Sequence, residues 1–438
     1  MSREGAPDIH RAAIRAIESD IAAGKLEHAR TALDALRLLA PRDVRVHLLD
    51  AMLARAHADA DAEITSLRRA TGLAPAWPIA QLELAKALAR GGVMEEAVAA
   101  ANRAVELAPG ELAVLELAVA IANQAGDAAT AQRHLRAALA LRPADISIGK
   151  ALALSLSTQR LFAEAEPLWR SALAQQPDDA FVLGWLGATL IGLERKAEAC
   201  ILLEHAVQLA PDNPALRFNL AIARGETPQT QPPELVERIF DDYAEQFDKQ
   251  LVEGLGYRVP ERVATILRER GLAPDASLLD LGCGTGLLGR HLGRIGGAMV
   301  GVDLSAKMLA QAARLGVYTQ LQRCGLLEQL RDMAAESFDH VVANDVFIYV
   351  GALDAVIPAA FRVLRRGGSL IFSCETATAQ EGDLALRASG RYAHSAKAVE
   401  ALCMSAGFVG CAVEFLDLRR EGQGEPIRGF ILVAQKAR

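Results

Sequence analysis

Prolines stand at Pro41, Pro75, Pro109, Pro143, Pro177 and Pro211, and every interval between them is 34 residues. This period constrains the chain more than any other feature. A unit of that length cannot bury an apolar face alone, so neighbouring units must stack. Each proline follows an apolar, helix-favouring stretch such as LAP, ELAP, ALRP or QLAP. Proline lacks the N–H that would continue a helix, so it ends one and sets the turn into the next. With proline as position 32, the units are 10–43, 44–77, 78–111, 112–145, 146–179 and 180–213. Position 20 is then Ala29, Glu63, Ala97, Ala131, Ala165 and Ala199, and position 27 is Leu36, Ala70, Ala104, Ala138, Ala172 and Ala206. Small residues recurring there predict closely packed helix pairs, separated by turns such as Gly91-Gly92 and Gly126-Asp127.

The pattern resembles the tetratricopeptide repeat (TPR), although position 8 is usually alanine (Ala51, Ala85, Ala153), becomes glycine only at Gly187, and the repeat's tryptophan is not met. The resemblance implies an α-helical solenoid with a concave groove. Arg45, Lys86, Arg90, Asn123, Gln124 and Lys150 are expected on that face, where they suit an acidic peptide or carboxylate or simply meet solvent. The implied partner is a peptide or protein in the groove, and a homo-oligomer is equally open. Asn213–Gly225 reads as a closing helix, and Glu226–Pro233 (ETPQTQPP) as a polar, proline-rich linker. The expected organisation is a repeat domain over 1–225, a linker over 226–233 and a second domain over 234–438.

Glycine and β-branched residues become common only after about position 277. There Ser277–Leu292, SLLDLGCGTGLLGRHL, reads as a buried strand, a glycine turn and a helix start. Glycines let the backbone turn sharply and bring a ligand against main-chain N–H groups. The turn also satisfies the dinucleotide pattern G-x-G-x-x-G at Gly284–Gly289, so glycine spacing alone leaves an oxidoreductase open. Asp280 argues otherwise. A carboxylate two residues before the first glycine suits the ammonium of a methionine moiety, which a pyrophosphate ligand lacks. A second strand ends at Asp303, in MVGVDLSAKML, where an acid accepts both ribose hydroxyls or caps the following helix. Phe338–Asp345 reads as a fourth strand, Phe361–Gly368 as helix and turn, and Ser369–Ser373 as a fifth strand.

Together these segments resemble the class I S-adenosylmethionine-dependent methyltransferases, from about Tyr257 to the C-terminus. The resemblance implies a Rossmann-like fold with a seven-stranded mixed sheet whose last, antiparallel strand is Gly429–Gln435. It implies a cofactor site made of Asp280, Gly282, Cys283, Gly284, Gly286, Asp303, Leu304, Met308, Leu326 and Asn344. Asn344 and Asp345 would border the methyl group. Gly325 stands where many members carry an adenine-binding acid, which leaves the backbone near Leu326, or Glu328, to hold the adenine. The order of repeats, FDxYAxxFD segment and glycine loop resembles a bacterial family of repeat-containing methyltransferases.

Methyl transfer from a sulfonium needs alignment and exclusion of water more than acid–base groups. A base matters only for a nucleophile that holds its proton tightly. Phe240, Tyr243 and Phe247 share one helical face before the sheet; the family resemblance implies a helix there that lids the cofactor pocket, with Tyr243 the candidate lid residue and substrate contact. Ser389–Ser395 (SGRYAHS) reads as a loop at the substrate mouth. In it Arg391 and Tyr392 are candidate substrate contacts and His394 a candidate general base. Asp345 and Tyr349 are further candidate catalytic residues, and Glu375 a further pocket wall.

Other classes find less support. A formal net charge of −7 gives no electrostatic reason to expect nucleic acid. The six cysteines show no C-x-x-C pair or zinc spacing, so no metal is expected and reduced, cytoplasmic thiols are. MSREGAPDIH lacks the basic and apolar segments of a signal peptide, and no apolar run approaches the roughly 20 residues that span a bilayer. Three functional readings remain: methyl transfer to a peptide, protein or carrier-tethered acceptor presented by the repeats; methyl transfer to a small molecule, with repeats for oligomerisation; or a non-catalytic adaptor with a degenerate cofactor fold.

Overall fold

The computed structural model describes residues 10–243, 256–387, 389–420 and 426–438. The chain divides into two compact units, Met1–Gln176 and Pro177–Arg438.

In the first unit the sequence period becomes a helix period. First helices run Val44–Ala56, Pro78–Arg90, Leu112–Gln124 and Ile146–Thr158, and second helices Ala60–Leu73, Met94–Leu107, Ala128–Leu141 and Phe162–Gln175. Arg11–Ala22 and Leu26–Leu39 precede them. The proline's contribution extends two residues beyond itself. Asp43, two after Pro41, caps the next helix by accepting from the Arg45 N–H, and Asp145, two after Pro143, accepts from the Ser147 and Ile148 N–H groups. These bonds satisfy donors that every helix start leaves open. The alanines at positions 20 and 27 are buried, as a close helix–helix approach requires.

Glu63 is the exception at position 20, a buried carboxylate among alanines. It accepts from Arg55 Nε at 2.6 Å and Arg90 Nη2 at 2.6 Å. Other residues expected on the groove face are matched internally too. Arg45 pairs with Asp43, Lys86 Nζ lies 2.8 Å from Glu83, Lys150 Nζ donates to Gln176 Oε1 at 2.8 Å, and the Gln124 amide reaches the Ala89 carbonyl.

The second unit begins with helices Ala180–Gly192, Lys196–Leu209 and Pro214–Ala223, which carry the last repeat and the expected closing helix. Asp179 and Asn213 cap the first and third in the same manner as Asp43. Gly187 admits Leu203, whose Cγ lies 2.5 Å from where a Cβ would stand. Segment 226–233 is pinned down: the Gln229 carbonyl accepts from the Gly351 and Ala352 N–H groups, and the Pro228 carbonyl from the Tyr392 hydroxyl at 2.6 Å. Next comes helix Pro233–Tyr243.

The strands are β1 (Leu278–Leu281), β2 (Met299–Asp303), β3 (Gln320–Arg323), β4 (Phe338–Ala343), β5 (Leu364–Thr376), β6 (Leu384–Leu386), β7 (Tyr392–His394), β8 (Gly410–Arg420) and β9 (Pro426–Gln435). The path β3-β2-β1-β4-β5 is parallel, and β9 runs antiparallel between β5 and β8. That accounts for seven strands. The sheet has nine, because β5 continues past its neighbours and pairs with the β6–β7 hairpin through Glu375 and Thr376. Ser389–Ser395 is therefore no free loop, since its Tyr392–His394 part is strand β7. The helix expected in Phe361–Gly368 belongs instead to Val356–Val363, and strand assignment begins at Leu364.

Apolar side chains cover both faces. Leu279 and Leu281 pack with Val356, Ile357, Ala360, Val399 and Cys403, and Leu278 packs on the other face with Val259, Val263, Leu287 and Leu288. The order in which strands are added reverses between β1 and β4, so their carboxyl ends bound a crevice of the kind in which open α/β sheets take ligands.

Trp169, fully buried in the first unit, donates its indole N–H to Ser157 Oγ at 2.9 Å. Trp169→Ala is expected to destabilise that unit by about 3–5 kcal/mol, read as a lower urea midpoint by far-ultraviolet circular dichroism.

Candidate active site

The crevice is lined first by the glycine turn after β1. Gly282 has φ +66°, and a Cβ there would stand 2.4 Å from Val346 Cγ2, so only glycine lets β1 and the segment after β4 approach this closely. Gly284 has φ +55° with no atom within 4 Å of a Cβ position, which leaves its face open to a ligand. Cys283 is buried, with its N–H on the Val302 carbonyl. Gly286 begins the short helix Leu287–Leu292.

Two acids flank the turn, Asp280 buried and Asp303 half-buried. Asp303, at the end of β2, accepts the Gly284 N–H on Oδ2 and the Ser305 N–H on Oδ1, both at 2.9 Å. Burial pushes its pKa up, against the pull of these backbone donors. The helix cap proper is Ser305, whose Oγ accepts the Met308 N–H at 3.1 Å and donates to Asp241 Oδ1 at 2.5 Å. Asp303 is thus left to join two loops. Leu304 offers its carbonyl to Arg323 Nε at 3.2 Å, and Met308 is fully buried. Asp280, 2% exposed, accepts the Tyr318 hydroxyl at 2.7 Å. Desolvation pushes its pKa up to about 7, with Asp303 adding to the rise and Tyr318 opposing it.

Tyr318 escaped sequence reasoning. Its ring lies beneath the helix start, where a Cβ on Gly289 would meet it at 2.9 Å. The third glycine of the G-x-G-x-x-G pattern therefore makes room for the tyrosine that holds Asp280. Gly325 caps helix Leu326–Asp332, and Glu328 Oε2 is 3.9 Å from its Cβ position. Leu326 is partly buried against the core.

Across the crevice, Asn344 and Asp345 follow β4, and each has a buried Oδ1 without a hydrogen-bond partner. Asp345 is held at φ +58°, its N–H bonded to Ser373 Oγ at 2.8 Å and its Oδ2 paired with Arg419 Nη1. Arg419 also donates to Glu375 Oε1 at 2.5 Å, and Arg387 Nη1 reaches Glu375 Oε2 at 2.9 Å. Glu375 is thus ion-paired through both oxygens. The two carboxylates beside Arg419 hold its guanidinium pKa above the ordinary range against the cost of burial. An arginine in the alternating strand EFLDLRR carries no signal that it points inward.

Tyr349 sits in the turn Phe347–Tyr349, its ring edge-on to Phe240 with centroids 5.5 Å apart. Its phenol pKa is raised by burial, and a side-chain hydrogen bond with Arg391 pulls the other way. Tyr243 ends its helix, but its side chain lies outside the described residues, as does Phe247. Tyr392 is fully buried under segment 226–233. His394 is buried in β7 with Nε2 2.9 Å from the Gly351 carbonyl. That carbonyl can only accept, so Nε2 carries the proton and Nδ1, which has no partner, is bare. Burial lowers the imidazole pKa.

The family-model match falls on this unit. Residues 279–372 match the family model described as "Methyltransferase domain". That match spans the glycine turn, Asp303, Asn344 and Asp345. The mitochondrial ubiquinone biosynthesis O-methyltransferase of Mus musculus is 39% identical over 103 residues, which cover 22% of this chain and 28% of that protein. Its counterpart in Hahella chejuensis is 34% identical over 108 residues, 24% of this chain and 45% of that one. The chain therefore spans less than half the length of these curated relatives. Burkholderia thailandensis 1,6-didemethyltoxoflavin-N1-methyltransferase, solved with bound 1,6-didemethyltoxoflavin and S-adenosylhomocysteine, is 18% identical with a TM-score of 0.38, covering 49% of this chain and 93% of that one.

Asp280 sets a pH-dependent stability for the second unit. In the unfolded chain it ionises in the ordinary carboxylate range, whereas in the fold it keeps its proton up to about 7. The folded state binds more protons between those values, so its stability falls as pH rises through that window. Asp280→Asn keeps an acceptor for Tyr318 and removes the buried charge. Its melting temperature is expected to match wild type near pH 4 and exceed it by roughly 4 °C or more at pH 8, measured by calorimetry across that range.

Proposed function

We propose that the protein is an S-adenosylmethionine-dependent methyltransferase whose cofactor lies along the crevice between Asp280, Gly284 and Asp303. The observation that carries this reading is the pair of acids, one buried and one half-buried, on either side of an open glycine face. Neither has a basic side chain among its described hydrogen-bond partners, and a cationic, ribose-bearing ligand supplies what each lacks. The unpartnered Asn344 oxygen across the crevice adds a third acceptor. The residues present fit the cofactor. S-adenosylmethionine supplies a methyl group already activated on a sulfonium.

The protein's own residues then have simple tasks. Asp280, freed of its proton when an ammonium docks, holds the methionine end. Asp303 turns its remaining lone pairs to the ribose hydroxyls while its bonds to Gly284 and Ser305 fix its rotamer. The helix start at Gly325–Leu326, with Glu328 beside it, offers backbone donors and a carboxylate to the adenine. Tyr349 and Phe240 help keep water from the methyl site. His394, neutral and buried, serves as a second-layer support of the Gly351 turn.

The acceptor presented on a peptide, protein or carrier draws its support from the helical period before this domain. We read that array as tetratricopeptide-type, a surface for a partner or a second copy. A small-molecule acceptor is the second reading, favoured by the names of the curated relatives. Among the described residues no helix is long and apolar enough to cross a membrane.

Calorimetric titration of the full chain with S-adenosylmethionine and S-adenosylhomocysteine tests the cofactor. Micromolar binding is expected, weakened roughly tenfold to a hundredfold in Asp303→Ala by loss of a charge-assisted acceptor. A folded wild-type protein that binds neither would overturn the proposal.

A further inference from the structure

We infer that Tyr318 is the positioning residue for the amino-acid end of the cofactor: its hydroxyl holds Asp280 as the acceptor that takes the ligand's ammonium. The inference rests on the methyltransferase reading and adds to it a residue that lies outside the glycine motif.

Three glycines clear the way for this one ring. Tyr318 lies just before β3, whereas Asp280 lies on β1, so the tyrosine side chain has to cross β2. It crosses at Gly301, which stands opposite Asp280 in the β1–β2 register. A Cβ on Gly301 would meet Tyr318 Cδ1 at 3.0 Å. At the helix start, a Cβ on Gly286 would meet Tyr318 Cε2 at 3.0 Å, and one on Gly289 would meet it at 2.9 Å. Gly301 also pairs with Leu321 of β3, so it sits inside a strand bonded on both sides, where glycine weakens the strand and marks a close approach. In a dinucleotide site the third glycine of the pattern lets helix and strand pack together. Here Gly289 admits a ring instead.

The ring ends in a single hydrogen bond. Tyr318 Oη donates to Asp280 Oδ2 at 2.7 Å, and among the described residues no other group bonds to that carboxylate. Packing alone does not call for the hydroxyl, since phenylalanine would fill the same space and leave no buried donor to satisfy. Other groups around Asp280 work against its charge. It is 2% exposed, and Asp303 at the end of β2, Cys283 in the glycine turn and Tyr257 before helix Val259–Glu269 act on it through charge alone. None of the three is basic. Tyr318 is the described group whose bond favours the carboxylate over the acid.

These facts give the tyrosine its task. An ionised Asp280 makes a charge-assisted bond to an ammonium, which a protonated one does not. With Oδ2 held by the phenol, the carboxylate rotamer is fixed and Oδ1 is left for the ligand. The phenol stays neutral throughout, so the contact adds no charge that would repel a cation.

Calorimetric titration of the full chain with S-adenosylhomocysteine and with adenosine, from pH 6 to pH 8.5, tests this on Tyr318→Phe, which keeps the ring and removes the donor. Without the donor Asp280 keeps its proton to a higher pH, and above that pH the two proteins are alike. Tyr318→Phe is therefore expected to bind S-adenosylhomocysteine roughly tenfold more weakly than wild type at pH 6, the difference closing to about twofold at pH 8.5. Adenosine, which lacks the ammonium, should bind both proteins equally at every pH. In Asp280→Asn, which cannot ionise, adding Tyr318→Phe should produce no pH-dependent difference. The ligand-free melting temperature gives a second readout: its fall with rising pH should run on to a higher pH in Tyr318→Phe. Wild-type protein that binds no S-adenosylhomocysteine would sink the methyltransferase reading and this inference with it. Wild-type binding with a Tyr318→Phe deficit that is absent, constant across pH or equal for adenosine would sink the inference alone, as would an unmoved melting profile.

Discussion

The site depends on one carboxylate. Asp303, at the end of β2, accepts the N–H of Gly284 from the turn after β1 and the N–H of Ser305 from the helix start after β2. Without it two adjacent loops at the carboxyl edge of a parallel sheet would each leave a backbone donor unmet in a buried place. A buried donor left unpaired costs about 1–3 kcal/mol, enough to let the glycine turn drift. The bond therefore fixes the open face of Gly284 relative to β2. Ser305 extends the tie to helix Pro233–Tyr243 through Asp241, and Arg323 adds a second strut through Glu237.

Charge is arranged differently on the two sides of the crevice. On the Asp280–Asp303 side the acids have hydroxyl and N–H partners but no described basic partner, and burial raises both pKa values. That arrangement is costly in the free protein and is relieved by a cation. On the Asp345 side the acids are matched by Arg419 and Arg387, with Asp345 Oδ1 and Asn344 Oδ1 left bare. The first side thus lacks a described basic partner, whereas the second has two arginines and two bare oxygens.

Much of this was legible in the sequence because it is local. The 34-residue proline period became a 34-residue helix period, and the segment from Asp280 to Gly286 states strand, acid and turn within seven residues. What escaped is separated along the chain. Tyr318 reaches Asp280 across 38 residues and Arg419 reaches Asp345 across 74, and only the strand order brings either pair together. The β6–β7 hairpin was hidden because its strands are three residues each, too short to show alternation. So SGRYAHS read as a loop, and His394 and Tyr392 as exposed chemistry, when both are buried. The pairing of Arg90 was equally out of reach, since composition shows a cation but not the carboxylate, Glu63, that a neighbouring helix brings to it.

The central claim is that Asp280 waits, partly protonated, for a ligand's ammonium. Proton exchange on binding measures that directly, by titrating S-adenosylhomocysteine into the protein at pH 7 in buffers of different ionisation enthalpy. A group with a pKa of about 7 is half protonated there, so release of about half a proton per ligand is expected. Adenosine, which has the ribose but not the ammonium, should release none. Equal proton release with both ligands, or none with either, would contradict the account.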